Sequence, residues 1–191
     1  MKNFARITGT GSYLPPKIVT NFDLEKTLDT SDEWITARTG IKERRIVTNE
    51  STCDLAEKAS LNALSMAEID PQDIDLIILS TTTPDKIFPA TATMLQNRLG
   101  ASCPAFDLQA VCAGFVFAMS TAQQFIENGS AKNILVVGSE TMSKIVDWED
   151  RSTAILFADG AGAVVLSADQ NKGIRHSKLY SDGNYLSSLH V

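Results

Sequence analysis

Ala105-Phe106-Asp107-Leu108-Gln109-Ala110-Val111-Cys112-Ala113-Gly114-Phe115 passes from a short apolar strand pattern into the opening of a long apolar helix. The helical pattern runs from Cys112 to about Asn128, is closed by Gly129, and is followed by the buried-strand run Asn133 to Gly138. Strand, helix and strand in that order make a crossover unit, which places the two strands parallel in one sheet with the helix on its face. Upstream, Asp75 to Ser80 is another buried-strand run, and Ala90 to Leu99 is a helix ending at Gly100. Ser51 and Asp54 have capping-box spacing ahead of a helix to about Met66 whose Leu55, Ala59 and Ala63 repeat at four residues. Phe4 to Thr10 reads as a strand running into a Gly-rich turn. Thr30-Ser31-Asp32-Glu33 caps a short helix that stops at Gly40. Downstream, Thr153 to Phe157, Ala161 to Ser167 and Ile174 to Tyr180 are expected strands, with turns at Asp159-Gly160 and Asp182-Gly183. The order implies an α/β fold with a largely parallel sheet.

The chain has 191 residues, 43% hydrophobic and 21% charged, the balance of a folded domain with a sizeable core. No linker, repeat or low-complexity tract divides it, so residues 1–191 are read as one unit. A formal charge of -6 lacks the basic footprint of a nucleic-acid binder. The longest apolar runs, such as Leu76 to Leu79 and Ile134 to Val137, fall far short of the roughly 18 residues a membrane span needs. The N-terminal residues are too polar for the apolar centre of a secretory signal, so a cytoplasmic location is expected. Cys53, Cys103 and Cys112 form no Cys-x-x-Cys pair, and with His176 and His190 they make no zinc spacing; reduced thiols and no metal are expected. No dinucleotide fingerprint, P-loop or Gly-x-Ser-x-Gly elbow occurs. Lys42-Glu43-Arg44-Arg45 reads as a solvated turn.

Cys112 is the candidate for chemistry. At a strand-to-helix junction, unpaired N–H groups and the helix dipole favour an anion, which would make the thiol a nucleophile. Ala113 and Gly114 are expected to leave space for an acyl group. The competing reading is a small apolar residue buried in a tight turn. Trp34 and Arg38, four apart, share a helix face and could be no more than a stacked pair.

Gly9-Thr-Gly-Ser-Tyr-Leu-Pro15, Thr30-Ser-Asp-Glu-Trp-Ile35, Arg38-Thr-Gly-Ile41, Cys103-Pro-Ala-Phe-Asp107, Ala110-Val-Cys-Ala-Gly-Phe115, Val137-Gly-Ser-Glu140, Asp150-Arg151 and Phe157-Ala-Asp-Gly-Ala-Gly-Ala163 together resemble β-ketoacyl-acyl carrier protein synthase III, of the thiolase-like condensing enzymes. The resemblance extends from Phe4 to about Tyr185. It implies the N-terminal half of a thiolase-like fold, a mixed five-stranded sheet with helices packed on it. It implies that Cys112 takes an acetyl or other short acyl group from acyl-coenzyme A, which is a substrate; no tightly bound cofactor is implied. Trp34 and Arg151 would sandwich the adenine, Arg38 would meet the phosphates, and Thr30 would add a polar contact. Phe88, Met142 and Phe157 would line the acyl pocket, Phe88 reaching across a homodimer interface.

The second substrate implied is malonyl-acyl carrier protein, whose decarboxylation would use a histidine and an asparagine from a C-terminal half. His176 and His190 match no such motif and are read as surface residues. The 191 residues by themselves are therefore expected to be poorly active, as a piece of a longer enzyme. The alternatives are a related condensing enzyme of secondary metabolism and a non-catalytic truncated paralogue.

Overall fold

The computed structural model describes residues 3–185, and His190 lies outside the described residues. Seven strands and six helices follow in the order β1 (Phe4–Tyr13), β2 (Lys17–Thr20), α1 (Asn21–Leu24), α2 (Asp32–Thr39), β3 (Glu43–Ile46), α3 (Thr52–Ala67), β4 (Leu76–Ser80), α4 (Thr91–Leu99), β5 (Ala105–Leu108), α5 (Gly114–Glu127), β6 (Asn133–Thr141), α6 (Arg151–Ala154) and β7 (Asp159–Asp169). The caps explain several of the boundaries. The Ser51 hydroxyl accepts from Asp54 N–H while Asp54 reaches back to the Ser51 backbone, so α3 opens on a complete capping box. Helix α4 stops at Gly100, whose φ of 71° ends the helix at no steric cost.

Five strands form one sheet in the order β1-β7-β6-β4-β5. β4 is parallel to both β5 and β6, whereas β7 is antiparallel to β6 and β1, so the sheet is mixed rather than largely parallel. Alternate residues of β4 face opposite cores. Ile77 and Leu79 pack with α3 and α4, and Leu76 and Ile78 pack with Ala118, Ala122 and Ile126 of α5. The helix after β4 and the helix after β5 therefore lie on opposite faces. Their loops part beyond the carboxyl ends of these two strands, and such a division opens a crevice where α/β sheets bind ligands. Cys112 follows directly on β5.

A third, smaller core of Leu24, Leu28, Ile35, Ala154 and Ile155, flanked by Trp34 and Trp148, joins α1, α2 and α6. The β2–β3 pair makes a separate two-stranded sheet. Of the largest fully buried side chains only Ile35 belongs to this third core. At about 1.5 to 3 kcal/mol per buried aliphatic side chain, most of the apolar stabilisation therefore resides around the five-stranded sheet.

Several expectations need correction. Gly9 and Gly11 are not in a turn. They lie within β1, where a Cβ on Gly9 would come within 2.2 Å of the Ala63 carbonyl oxygen and one on Gly11 within 2.2 Å of that of Ala59. The cap of α2 is Ser31, whose hydroxyl accepts from Trp34 N–H, and not Thr30. Thr153 to Phe157 is not a strand, because Asp150 caps a short helix there by accepting from Ser152 N–H. Asp159-Gly160 opens β7, paired with Thr141 and Glu140. Ile174 to Tyr180 forms no strand; Ile174 N–H donates to Ala5 at 2.8 Å. Lys42 to Arg45 is no solvated turn, since Arg44 lies on β3 and is 3% exposed.

Asp32 and Asp54 are among the aspartates at helix starts that are held below the ordinary carboxylate range. For Asp32 the chief cause is the hydrogen bond from Asn21, 2.8 Å, supported by Lys42 and Thr36. For Asp54 partial burial pulls upward but is outweighed by hydrogen bonds from Ser51 and Arg98. A depressed folded value means that the stabilisation is complete above the unfolded value of about 3.9 and is lost as pH falls through the folded one. Asp32→Asn is therefore expected to flatten the fall of the urea midpoint as pH drops below the ordinary carboxylate range of about 4. Superimposable curves for variant and parent would exclude this role.

Candidate active site

Between β5 and α5 the chain makes a tight turn of 3-10 helix, Val111–Ala113. Val111 has φ 50°, a left-handed conformation that a β-branched residue adopts only when its surroundings force it. The turn leaves Cys112 exposed, while Cys53 and Cys103 are buried. Burial pushes the Cys53 thiol up to about 11 and raises that of Cys103, so neither is a nucleophile near neutral pH. Within this chain Cys112 is not a buried apolar residue. No side chain caps α5, so its first N–H groups face the Cys112 turn without a side-chain acceptor.

Gly114 serves a purpose other than the expected one. A Cβ there would lie 2.0 Å from Ser80 Oγ, so the missing side chain lets the start of α5 dock against the end of β4. The space it leaves is filled by Ser80.

Three carboxylates fix the neighbouring loops. Glu140 accepts from Thr82 N–H at 2.7 Å and from the Thr83 hydroxyl at 2.6 Å, tying the loop after β4 to β6. Asp85 accepts from the N–H groups of Thr52 and Cys53 at the start of α3. Asp107 of β5 accepts from those of Thr91 and Ala92, capping α4 where Ala90 offers no side-chain acceptor. From this braced loop Ile87 and Phe88 project, 97% and 83% exposed. Met142 is half-buried in the turn after β6, and Phe157 is half-buried just before β7.

A second group gathers on the small core. The guanidinium carbon of Arg38 lies 4.3 Å from the Trp34 ring centroid and that of Arg151 4.7 Å from it, within cation–π range. Arg151 Nη1 donates to the Asp29 carbonyl at 2.8 Å. The hydroxyl of Thr30 is buried with no hydrogen-bond partner among the described residues. A flat ring placed between Trp34 and Arg151 would need its own stacking distance from each, with offset ring pairs about 4.5 to 7 Å apart. At 4.7 Å the two touch directly, so Arg151 must swing aside to admit one.

The sequence profile of the 3-oxoacyl-[acyl-carrier-protein] synthase III family matches residues 106–183. A β-ketoacyl-[acyl-carrier-protein] synthase III of Vesicomyosocius okutanii is 69% identical over 191 residues, covering 100% of this chain and 61% of the relative. The chain belongs to the β-ketoacyl-acyl carrier protein synthase III family. It spans about three-fifths of the length of the curated relatives it matches. The crystal structure of a synthase III from Aquifex aeolicus is similar with TM-score 0.87 at 54% identity, over 88% of this chain and 55% of the other. One from Thermus thermophilus reaches TM-score 0.93 at 44% identity, over 97% and 58%. The fold is thus that of the thiolase-like synthases.

The residues of this chain that sequence reading missed are its braces, Asp85, Asp107 and Glu140. Asp107 left a signal, being the one charge in the strand Ala-Phe-Asp-Leu, upstream of which Ala90 is a poor cap. Glu140 and Asp85 left none, because their acceptor roles depend on strand order.

Proposed function

We propose that the protein containing this chain is a β-ketoacyl-acyl carrier protein synthase III that primes fatty acid synthesis. The observation that carries the reading is Cys112: an exposed thiol on a strained turn at the carboxyl end of β5, before an uncapped helix. The Cys112 thiolate attacks the carbonyl carbon of acetyl-coenzyme A or another short acyl donor, the carbon–sulfur bond to coenzyme A breaks, and its thiolate leaves. Malonyl-acyl carrier protein then loses carbon dioxide. The electron pair of the broken bond attacks the Cys112 thioester, forms the new carbon–carbon bond and expels the cysteine thiolate, giving 3-oxoacyl-acyl carrier protein. In this reading Trp34 and Arg151 hold the adenine, Arg38 the phosphates and Thr30 a polar group nearby, which would give its unpartnered hydroxyl a bond. Phe88, Met142 and Phe157 shape the acyl site, with exposed Phe88 entering that of a homodimer partner.

The groups that stabilise the enolate are assigned to a histidine and an asparagine beyond this chain, since His176 is exposed and matches no such motif. No tightly bound cofactor, nucleic acid or membrane partner is part of the scheme. A cytoplasmic location agrees with three unpaired cysteines. Relatives at 69% and 60% identity that carry the synthase III name leave the secondary-metabolism alternative unfavoured. Incubating the full-length protein with acetyl-coenzyme A and weighing it intact is expected to show one acetyl adduct, absent in Cys112→Ser. No adduct, or one that survives the substitution, overturns the assignment.

A further inference from the structure

Arg44 is buried, yet it has no carboxylate among its hydrogen-bond partners. Its Nη1 donates to the Val19 carbonyl at 3.2 Å, and its Nη2 to Asn21 Oδ1 at 2.9 Å and to the Ile155 carbonyl at 3.1 Å; its Nε is buried without a partner among the described residues. Asn21, fully buried, donates in turn to Asp32 Oδ1 and to the Ile41 carbonyl, both at 2.8 Å. Each end of this chain of bonds is informative. Asp32 opens α2, which carries Trp34 and Arg38. Ile155 closes α6, whose first residue is Arg151. One guanidinium therefore links the two short helices whose Arg151 and Trp34 side chains meet, the guanidinium carbon 4.7 Å from the ring centroid.

Energy alone does not account for this residue. A buried cation facing neutral oxygens is poorly compensated, and burial does pull the Arg44 pKa down. An apolar side chain of similar volume would fill the space at smaller desolvation cost. What an apolar residue lacks is the planar fork, which fixes two carbonyls and an amide in one geometry. The small core around it holds few large buried side chains, and this fork adds a directional tie from β2 and α1 to the end of α6.

We propose that Arg44, through Asn21, is a positioning residue for nucleotide recognition: it sets the separation of Trp34 and Arg151 without touching substrate. The proposal rests on the reading of those two residues as the adenine site. It predicts a loss confined to donors that carry the nucleotide.

The test is steady-state kinetics of full-length Arg44→Met with acetyl-coenzyme A and with acetyl-pantetheine, which has no nucleotide. The ratio of kcat/KM for the two donors is expected to fall about tenfold to a hundredfold relative to the parent, mostly through KM for acetyl-coenzyme A, since misplacement by about 1 Å has effects of that size. An unchanged ratio overturns the proposal, whether both donors lose equally or neither does. If Arg44→Met fails to fold, Arg44→Lys decides by the same ratio, because an ammonium keeps the charge but not the fork. The underlying reading fails separately: a parent protein that shows no preference for acetyl-coenzyme A over acetyl-pantetheine has no adenine site for Arg44 to arrange.

Discussion

Cys112→Ser in the full-length protein is expected to lower turnover by about a thousandfold or more while leaving the thermal midpoint within about 2 °C of the parent. The two halves of this expectation come from one observation. Cys112 belongs to none of the three apolar cores of this chain, so exchanging sulfur for oxygen removes no packing from them, whereas the hydroxyl is a far weaker nucleophile near neutral pH. Cys53 and Cys103 cannot substitute, being buried and raised above the ordinary thiol range. A variant retaining more than about 1% of parental turnover would show that the nucleophile lies elsewhere. A large loss of thermal stability would show that Cys112 is structural.

The largest structural effect is expected at Gly11. A Cβ there would stand 2.2 Å from the Ala59 carbonyl oxygen and 2.4 Å from Ala63 nitrogen, both backbone atoms of α3 that no rotamer change can move. Gly11→Ala must push β1 and α3 apart and open the core containing Ala59, Ala63 and Val165. A loss of about 3 kcal/mol or more in unfolding free energy is expected, at or beyond the upper end of ordinary overpacking. Gly162, opposite Ser12 on the adjacent β7, is the control, since a Cβ there meets nothing within 4 Å. Gly162→Ala is expected to change stability by no more than about 0.5 kcal/mol. Denaturant titration of both variants settles the matter, and equal effects would contradict the close β1–α3 approach.

The same glycines show where sequence reading stops. The strands β4, β5 and β6 and the caps at Ser51 and Gly100 were legible because their causes are local: apolar runs, a hydroxyl three residues before a carboxylate, a glycine after the last helical turn. Gly9 and Gly11 look like turn residues until the helix some fifty residues downstream is laid against them. Arg44 looks solvated for the same reason, because its acceptor Ile155 lies 111 residues away. In the site, the Trp34–Arg38 pair followed from helical spacing, but the arrival of Arg151 at the same ring did not. Asp150 and Ser152 make a helix of a stretch whose composition reads as strand, since a good cap outweighs β-branched propensity over four residues.

The small core beneath Trp34 stands apart from the two cores that pack β4 and β5 and so support the Cys112 turn. In the proposed reading, donor recognition and nucleophile presentation are then separable inheritances. Substitutions among Leu24, Leu28, Ile35, Ala154 and Ile155 can retune which donor is held while the platform under the thiol stays intact, because distant sites without shared partners act additively. A lineage could weaken or strengthen its dependence on the donor's nucleotide by drift in that nest and keep its chemistry.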